Sequence, residues 1–157
     1  MSILGANLDK RVRKMQSDTF LGFAQIAGLA ERRALRLFEE HGIFDITPTQ
    51  SRVLVILFQE QRPLTASEIS AHMGLTEVTV GRFIRALRTA GWLTRSQNPD
   101  DRRSWLLHPT QRARDNLPTF ISVSNALLDA VFATLDPAEL ELLADAVARM
   151  QGGLTDP

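Results

Sequence analysis

Arginine is the residue that carries the chemistry of this chain. Between Val78 and Arg114 stand Arg82, Arg85, Arg88, Arg95, Arg102, Arg103, Arg112 and Arg114, against only Asp100 and Asp101. A guanidinium keeps its charge at any working pH and presents a planar fork of donors. That fork matches phosphate oxygens, or the O6/N7 edge of guanine. The whole chain balances 18 basic against 18 acidic residues, for a formal net charge of zero. Any attraction to a polyanion must therefore come from where the charges sit and not from their sum. A single arginine on an exposed helix is often nothing more than solvated surface. Eight in so short a span have the electrostatic footprint of a phosphate-binding face.

The elements that would hold these arginines are legible from Thr65 to Pro109. Thr65 followed by Glu68 is a capping box: the hydroxyl takes one free backbone N–H and the carboxylate reaches back to another. Ile69, His72 and Met73 follow at helical spacing, and Gly74 supplies the positive φ that ends such a helix. Leu75 falls in the turn and Thr76 caps a second helix. Helix, glycine turn and helix in this order predict a helix-turn-helix. In the second helix Val80, Phe83 or Ile84, and Leu87 share a buried stripe. Thr79, Arg82, Arg85 and Arg88 lie on other parts of the cylinder. A helix of about 14 residues is ~20 Å long and ~10–12 Å across, which suits a major groove about 12 Å wide. There Thr79 would meet a base edge or a thymine methyl and Arg82 a guanine, with Thr76 at the cap also counted among the DNA-binding residues. Gly91 stops this helix after Ala90. Trp92-Leu93-Thr94-Arg95 then starts an extended run, Asn98-Pro99-Asp100-Asp101 is turn chemistry, and Trp105-Leu106-Leu107 returns. The tip of this hairpin presents Arg102 and Arg103, placed to enter a minor groove or hold phosphates.

Other chemistries find little support. The chain has no cysteine, which removes disulfides, thiolate metal sites and thiol-based peroxide sensing. His41, His72 and His108 stand far apart, and none has a second histidine or acid at metal-ligand spacing. No G-x-S-x-G, P-loop or dinucleotide glycine motif is present, so no enzyme, metal or cofactor is expected. No run of about 18 apolar residues occurs and the N-terminus lacks a signal-peptide pattern. The expected location is the cytoplasm, with no membrane partner.

At 157 residues and 44% hydrophobic, the chain has material for one ordinary core with helical extensions. Met1 to Asn7 reads as a loose end. From about Leu8 to Glu40 a long helical pattern runs through Phe20, Phe23, Ala27, Ala30, Ala34 and Leu37, closed by His41-Gly42. It carries more apolar surface than one small helical domain covers, so a second subunit is the expected acceptor. Thr47-Pro48-Thr49-Gln50 opens the next helix with a second capping box and a proline at its first position. Val53, Leu54, Leu57 and Phe58 form its buried face, and Arg62-Pro63 ends it. Thr110 caps a further helix in which Pro118 predicts a kink or a fresh start near Asn116–Thr119. Asp136-Pro137-Ala138-Glu139 opens a last helix, which Gly152-Gly153 should break.

The run from Ile46 to Arg114 resembles the MarR (multiple-antibiotic-resistance regulator) family of winged helix-turn-helix transcription factors. The resemblance rests on Thr47-Pro48-x-Gln50 with Arg52-Val53-Leu54, then Leu64-Thr65-Ala66-Ser67-Glu68-Ile69, Gly74-Leu75, and Thr79-Val80 with Arg82 and Leu87. Gly91-Trp92-Leu93 and Asn98-Pro99-Asp100-Asp101-Arg102-Arg103 complete it. It implies a mainly α fold with a small β-hairpin wing. Residues 1–45 would be an N-terminal dimerisation helix, 46–109 the DNA-binding winged helix-turn-helix, and 110–157 C-terminal dimerisation helices. The implied function is a homodimeric regulator of transcription on a palindromic operator in double-stranded DNA. A repressor is the favoured form, although the residues themselves leave the sign of control open. The resemblance further implies a small aromatic or phenolic effector between the dimer helices and the winged domain. Arg103 corresponds to the family's minor-groove arginine, with Asp101 fixing the turn. Where the family commonly has an aspartate late in the recognition helix to pair with that arginine, this chain has Arg85. Wing orientation then rests on Asp101, or Arg85 adds a phosphate contact. The competing class is a winged-helix interaction module that does not bind DNA.

Overall fold

A computed structural model describes residues 3–155. Six helices and one hairpin follow in the order α1 (Ile3–Glu40), α2 (Pro48–Glu60), α3 (Ala66–Met73), α4 (Glu77–Thr89), β1 (Leu93–Gln97), β2 (Trp105–Pro109), α5 (Gln111–Phe132) and α6 (Pro137–Thr155). The caps read from the sequence are formed. Thr47 with Gln50 and Thr65 with Glu68 make reciprocal capping boxes, and the Asp136 N–H and carboxylate exchange bonds with Glu139. Gly42, Gly74 and Gly91 hold φ of 76°, 63° and 80° at the ends of α1, α3 and α4. That left-handed region is open to glycine at no Cβ penalty.

Three local expectations differ from what is formed. α1 begins at Ile3 rather than near Leu8; residues 1–2 lie outside the described part. α5 passes through Pro118 as one helix, which overturns the fresh start near Asn116–Thr119 but not the alternative of a kink. Buried Ala113 on one side of the proline and Phe120 and Val123 on the other anchor both halves to the same core, and Pro118 itself faces solvent. α6 continues through Gly152-Gly153 to Thr155. There the Thr155 hydroxyl lies 3.2 Å and 3.1 Å from the carbonyls of Gln151 and Gly152 and supplies them with a donor. Two exposed glycines weaken a helix end by ~1 kcal/mol each without forcing it to stop.

The core sits where α2, α3, α4 and the hairpin meet α5 and the C-terminal end of α1. Trp92, Leu54, Leu64, Ile69, Leu87, Val53 and Val80 are fully buried. Phe120 of α5 stacks at a tilt on Phe38 of α1, with centroids 5.8 Å apart, and on Trp92, 5.6 Å apart. β1 and β2 pair antiparallel with Leu93 opposite Pro109 and Gln97 opposite Trp105. The Leu107 N–H also donates to the Leu64 carbonyl at 2.8 Å. This bond ties the hairpin to the segment leading into α3.

The N-terminal part of α1 and the whole of α6 lie outside this core. Among the residues of α1 whose burial is described, only Ala34 and Phe38 are buried, while Phe20, in the apolar stripe read from the sequence, is 74% exposed. α6 buries no residue. α5 and α6 meet at 99°, and no single helix among the described residues is long and apolar enough to cross a membrane.

Candidate nucleic-acid interface

α4 is oriented by its apolar stripe. Val80, Ile84 and Leu87 are buried, which turns Val78, Arg82 and Arg85 outward on a strip with spacings of four and three. Arg88 is exposed beside it. Among the described residues no ion pair engages Arg82, Arg85 or Arg88. Three charged forks on one helix are left to water or to an external anion.

The threonines at the head of α4 sit differently. Thr76 accepts from the Thr79 N–H at 3.3 Å, and the two hydroxyls bond at 3.0 Å. Thr76 is exposed and Thr79 half-buried, so Thr79 lies at the flank of the outward strip and not on its crest. Glu77, which the count of charges from Val78 onward leaves out, brings a carboxylate into this first turn. It lines a cleft of about 520 Å³ between α4 and the wing, together with Gly81, Ile84, Arg95, Asp101, Arg103 and Trp105. Its position next to the cap residue was the available signal.

At the wing tip the turn is built from side chains. The Asp100 N–H donates to Asn98 Oδ1 at 3.0 Å, and Asn98 Nδ2 donates to Ser104 Oγ at 2.9 Å. The Asp101 carboxylate accepts from the Arg103 N–H at 3.0 Å and from Arg103 Nε at 3.3 Å. The Arg103 side chain is nonetheless 92% exposed. Arg102 is also exposed, and its carbonyl accepts from Gln97 Nε2 at 3.2 Å. The tip thus presents two exposed guanidinium groups, one of them oriented by Asp101. Arg85 does not line the cleft beside the wing; Arg103 finds its carboxylate within its own turn.

Not every arginine of the cluster is free. Arg95 lies over the Trp105 ring, 4.0 Å from its centroid, a diagonal pair across the hairpin. Arg112 lies over Trp92 at 3.9 Å, bonds Asp45 at 2.7 Å and donates to the Ala90 carbonyl at the end of α4. Arg114 donates to the Pro109 carbonyl at 2.8 Å. These last two hold α5 against the winged domain. The outward basic face narrows to Arg82, Arg85 and Arg88 on α4 and Arg102 and Arg103 on the wing.

The three histidines stand apart. His41 Nδ1 bonds the Leu37 carbonyl at 2.7 Å, His108 Nε2 bonds the Ser96 hydroxyl at 2.8 Å, and His72 faces Glu60 at 3.7 Å. A cavity of about 640 Å³ opens between α1, α2 and α5, with His72 of α3 at its edge. Its lining includes Phe38, Phe120 and Leu127 on the apolar side and Glu31, Arg52 and His72 on the polar side. Glu31 is held there by the N–H and hydroxyl of Thr49, at 3.2 Å and 2.8 Å.

A helical core whose second turn-linked helix faces outward beside a two-stranded hairpin defines a winged helix-turn-helix protein. Residues 46–105, which hold the helix-turn-helix and most of the hairpin, match the MarR family. The chain is 29% identical over 147 residues to the uncharacterized protein Rv2011c of Mycobacterium tuberculosis, covering 91% of this chain and 94% of that protein. It is 27% identical over 121 residues to the uncharacterized HTH-type transcriptional regulator YkoM of Bacillus subtilis, covering 77% and 76% of the two chains. Among solved structures, Sco3205 of Streptomyces coelicolor, a MarR family transcriptional regulator crystallised in complex with DNA, superposes with a TM-score of 0.78 at 18% identity. The match covers 89% of this chain and 88% of that one; at such identity the likeness is one of fold.

Proposed function

We propose that the protein is a cytoplasmic, homodimeric transcriptional repressor that binds a palindromic operator. The observation that carries this reading is the set of unpaired Arg82, Arg85 and Arg88 on the outward side of α4. A polar cylinder of that width with that charge fits the major groove. Arg82 sets sequence choice together with Thr79 at its flank, beside Thr76 at the head of the helix; Arg85 and Arg88 meet phosphates. The wing carries Arg102 and Arg103 to the neighbouring minor groove, with Asp101 fixing their turn. The DNA complex of Sco3205 supports this use of the fold.

The dimer would be made by residues 1–45 and 110–157, leaving 46–109 as the DNA-binding domain. The exposed apolar residues of α1 and α6 support that division. Two-fold symmetry then requires half-sites about 10 bp apart or a multiple of it. The cavity between α1, α2 and α5 lies between the proposed dimer helices and the winged domain, and suits a small aromatic or phenolic effector with its ring on Phe38 and Phe120. Such a ligand acts by preferring one separation of the two recognition helices.

Selection of bound sequences from a random DNA library tests the reading. A recovered palindrome is expected, with log K falling steeply as log salt rises, by about 0.9 per phosphate neutralised. A flat salt response and no recovered sequence would instead favour a winged-helix interaction module.

A further inference from the structure

We propose that Val78 is a specificity-determining residue, reading the C5 methyl group of a thymine in the major groove. The inference rests on the proposed DNA-binding function and names one base it selects. Val78 is 68% exposed and stands in the first turn of α4, opposite the buried stripe of Val80, Ile84 and Leu87. It heads the outward strip that continues with Arg82 one turn on and Arg85 after it. A lone exposed valine is ordinary on a protein surface, but this one is the apolar member of a strip otherwise made of charged forks. Its flanking neighbours point elsewhere. Glu77 lines the cleft toward the wing, and the Thr79 hydroxyl is engaged by Thr76 at the side of the helix.

In the major groove the thymine methyl is the apolar feature that a branched aliphatic side chain meets. Val78 offers two methyl groups on a side chain restricted at χ1, so little rotamer freedom is lost on contact. Side chains four apart on a helix stand about 5–6 Å from each other, and successive base pairs about 3.4 Å. The thymine therefore lies within about two base pairs of the one read by Arg82. Arg82 supplies hydrogen-bond readout and Val78 supplies methyl readout next to it.

The experiment uses the full-length protein and the sequence it selects from a random library. Each thymine near the Arg82 contact is replaced by deoxyuridine, symmetrically in both half-sites, and affinity is measured at one salt concentration. At one position the wild type should lose about fourfold per half-site, the worth of one buried methyl. Val78→Ala should bind the two DNAs equally, and it leaves the fold intact, since alanine is the better helix former. Arg82→Ala should keep the uridine penalty while relaxing choice at its own base pair. If the wild type is indifferent to every such replacement, or Val78→Ala remains as sensitive as the wild type, the assignment is wrong and the regulator reading stands. A protein that selects no sequence at all overturns both.

Discussion

Arg82 and Arg103 illustrate how much a single side chain's surroundings decide. Arg82 is exposed on α4 with no ionic partner among the described residues, so its donors are ready for a base edge. Arg82→Ala should lose about 1–3 kcal/mol of operator affinity and relax preference at one position; unchanged affinity and preference in a binding titration would refute the assignment. Arg103 is held by Asp101 across a turn of two residues, but in the open, where such a pair contributes little to stability. Asp101→Ala should leave the melting temperature nearly unchanged while weakening DNA binding, because the loss is of orientation at the tip. Glu68 supplies a pH prediction. The Thr65 N–H, with Arg62 adding to it, holds its carboxyl below the ordinary value of 4.5. A carboxyl lowered in the folded state stabilises at pH above its unfolded value, and the contribution fades as pH falls through the folded one. The stability gap between wild type and Glu68→Ala should accordingly be present at neutral pH and narrow in acid, as thermal melts over a pH series would reveal.

At the level of elements, the joint between α5 and the winged domain matters most. Arg112 stacks on Trp92, pairs with Asp45 and caps the last turn of α4 through Ala90. Trp92 Nε1 also donates to Asp45 at 3.3 Å. Three segments distant in sequence thus share one guanidinium. Each contact is partly exposed, so the pair adds ~0–1 kcal/mol and the stack ~0.5–1. Arg112→Ala should destabilise by about 1–2 kcal/mol in urea unfolding, and Arg112→Lys should recover only part of it, since an ammonium cannot stack and fork at once. In the sequence Arg112 stands with the basic residues that follow the recognition helix and looks like one more phosphate ligand. Asp45 lies 67 positions away, and nothing local announces the pairing. Arg95 misleads in the same way, since Trp105 comes beside it only through the register of the hairpin.

The whole molecule leaves apolar surface without cover. Phe20, Leu142 and Leu154 are each more than 70% exposed, on helices that contribute little or nothing to the core. Burying such surface is worth roughly 25 cal/mol per Å², and a second copy of the chain is the partner we expect. Sedimentation equilibrium should give twice the chain mass. Phe20→Asp should shift the balance toward single chains and weaken operator binding, because two half-sites would no longer be engaged together. Equal masses for the two proteins, both those of one chain, would count against a dimer.

The amino-acid order determined the local grammar of this protein. The capping boxes, the glycine turns, the apolar spacing of α4 and the tight turn of the wing all depend on residues within a few positions of each other, so they can be read from spacing. Tertiary structure alone decided which arginines are free. Arg112 is engaged by Asp45, Ala90 and Trp92, which packing brings together, whereas Arg82, Arg85 and Arg88 are turned outward by the burial of Val80, Ile84 and Leu87. The fate of Pro118 was likewise settled by packing, since buried side chains on both sides of it hold α5 in one piece. Local bonds are written in spacing; the environment of a charge is the sum of distant neighbours, and only the folded chain computes that sum.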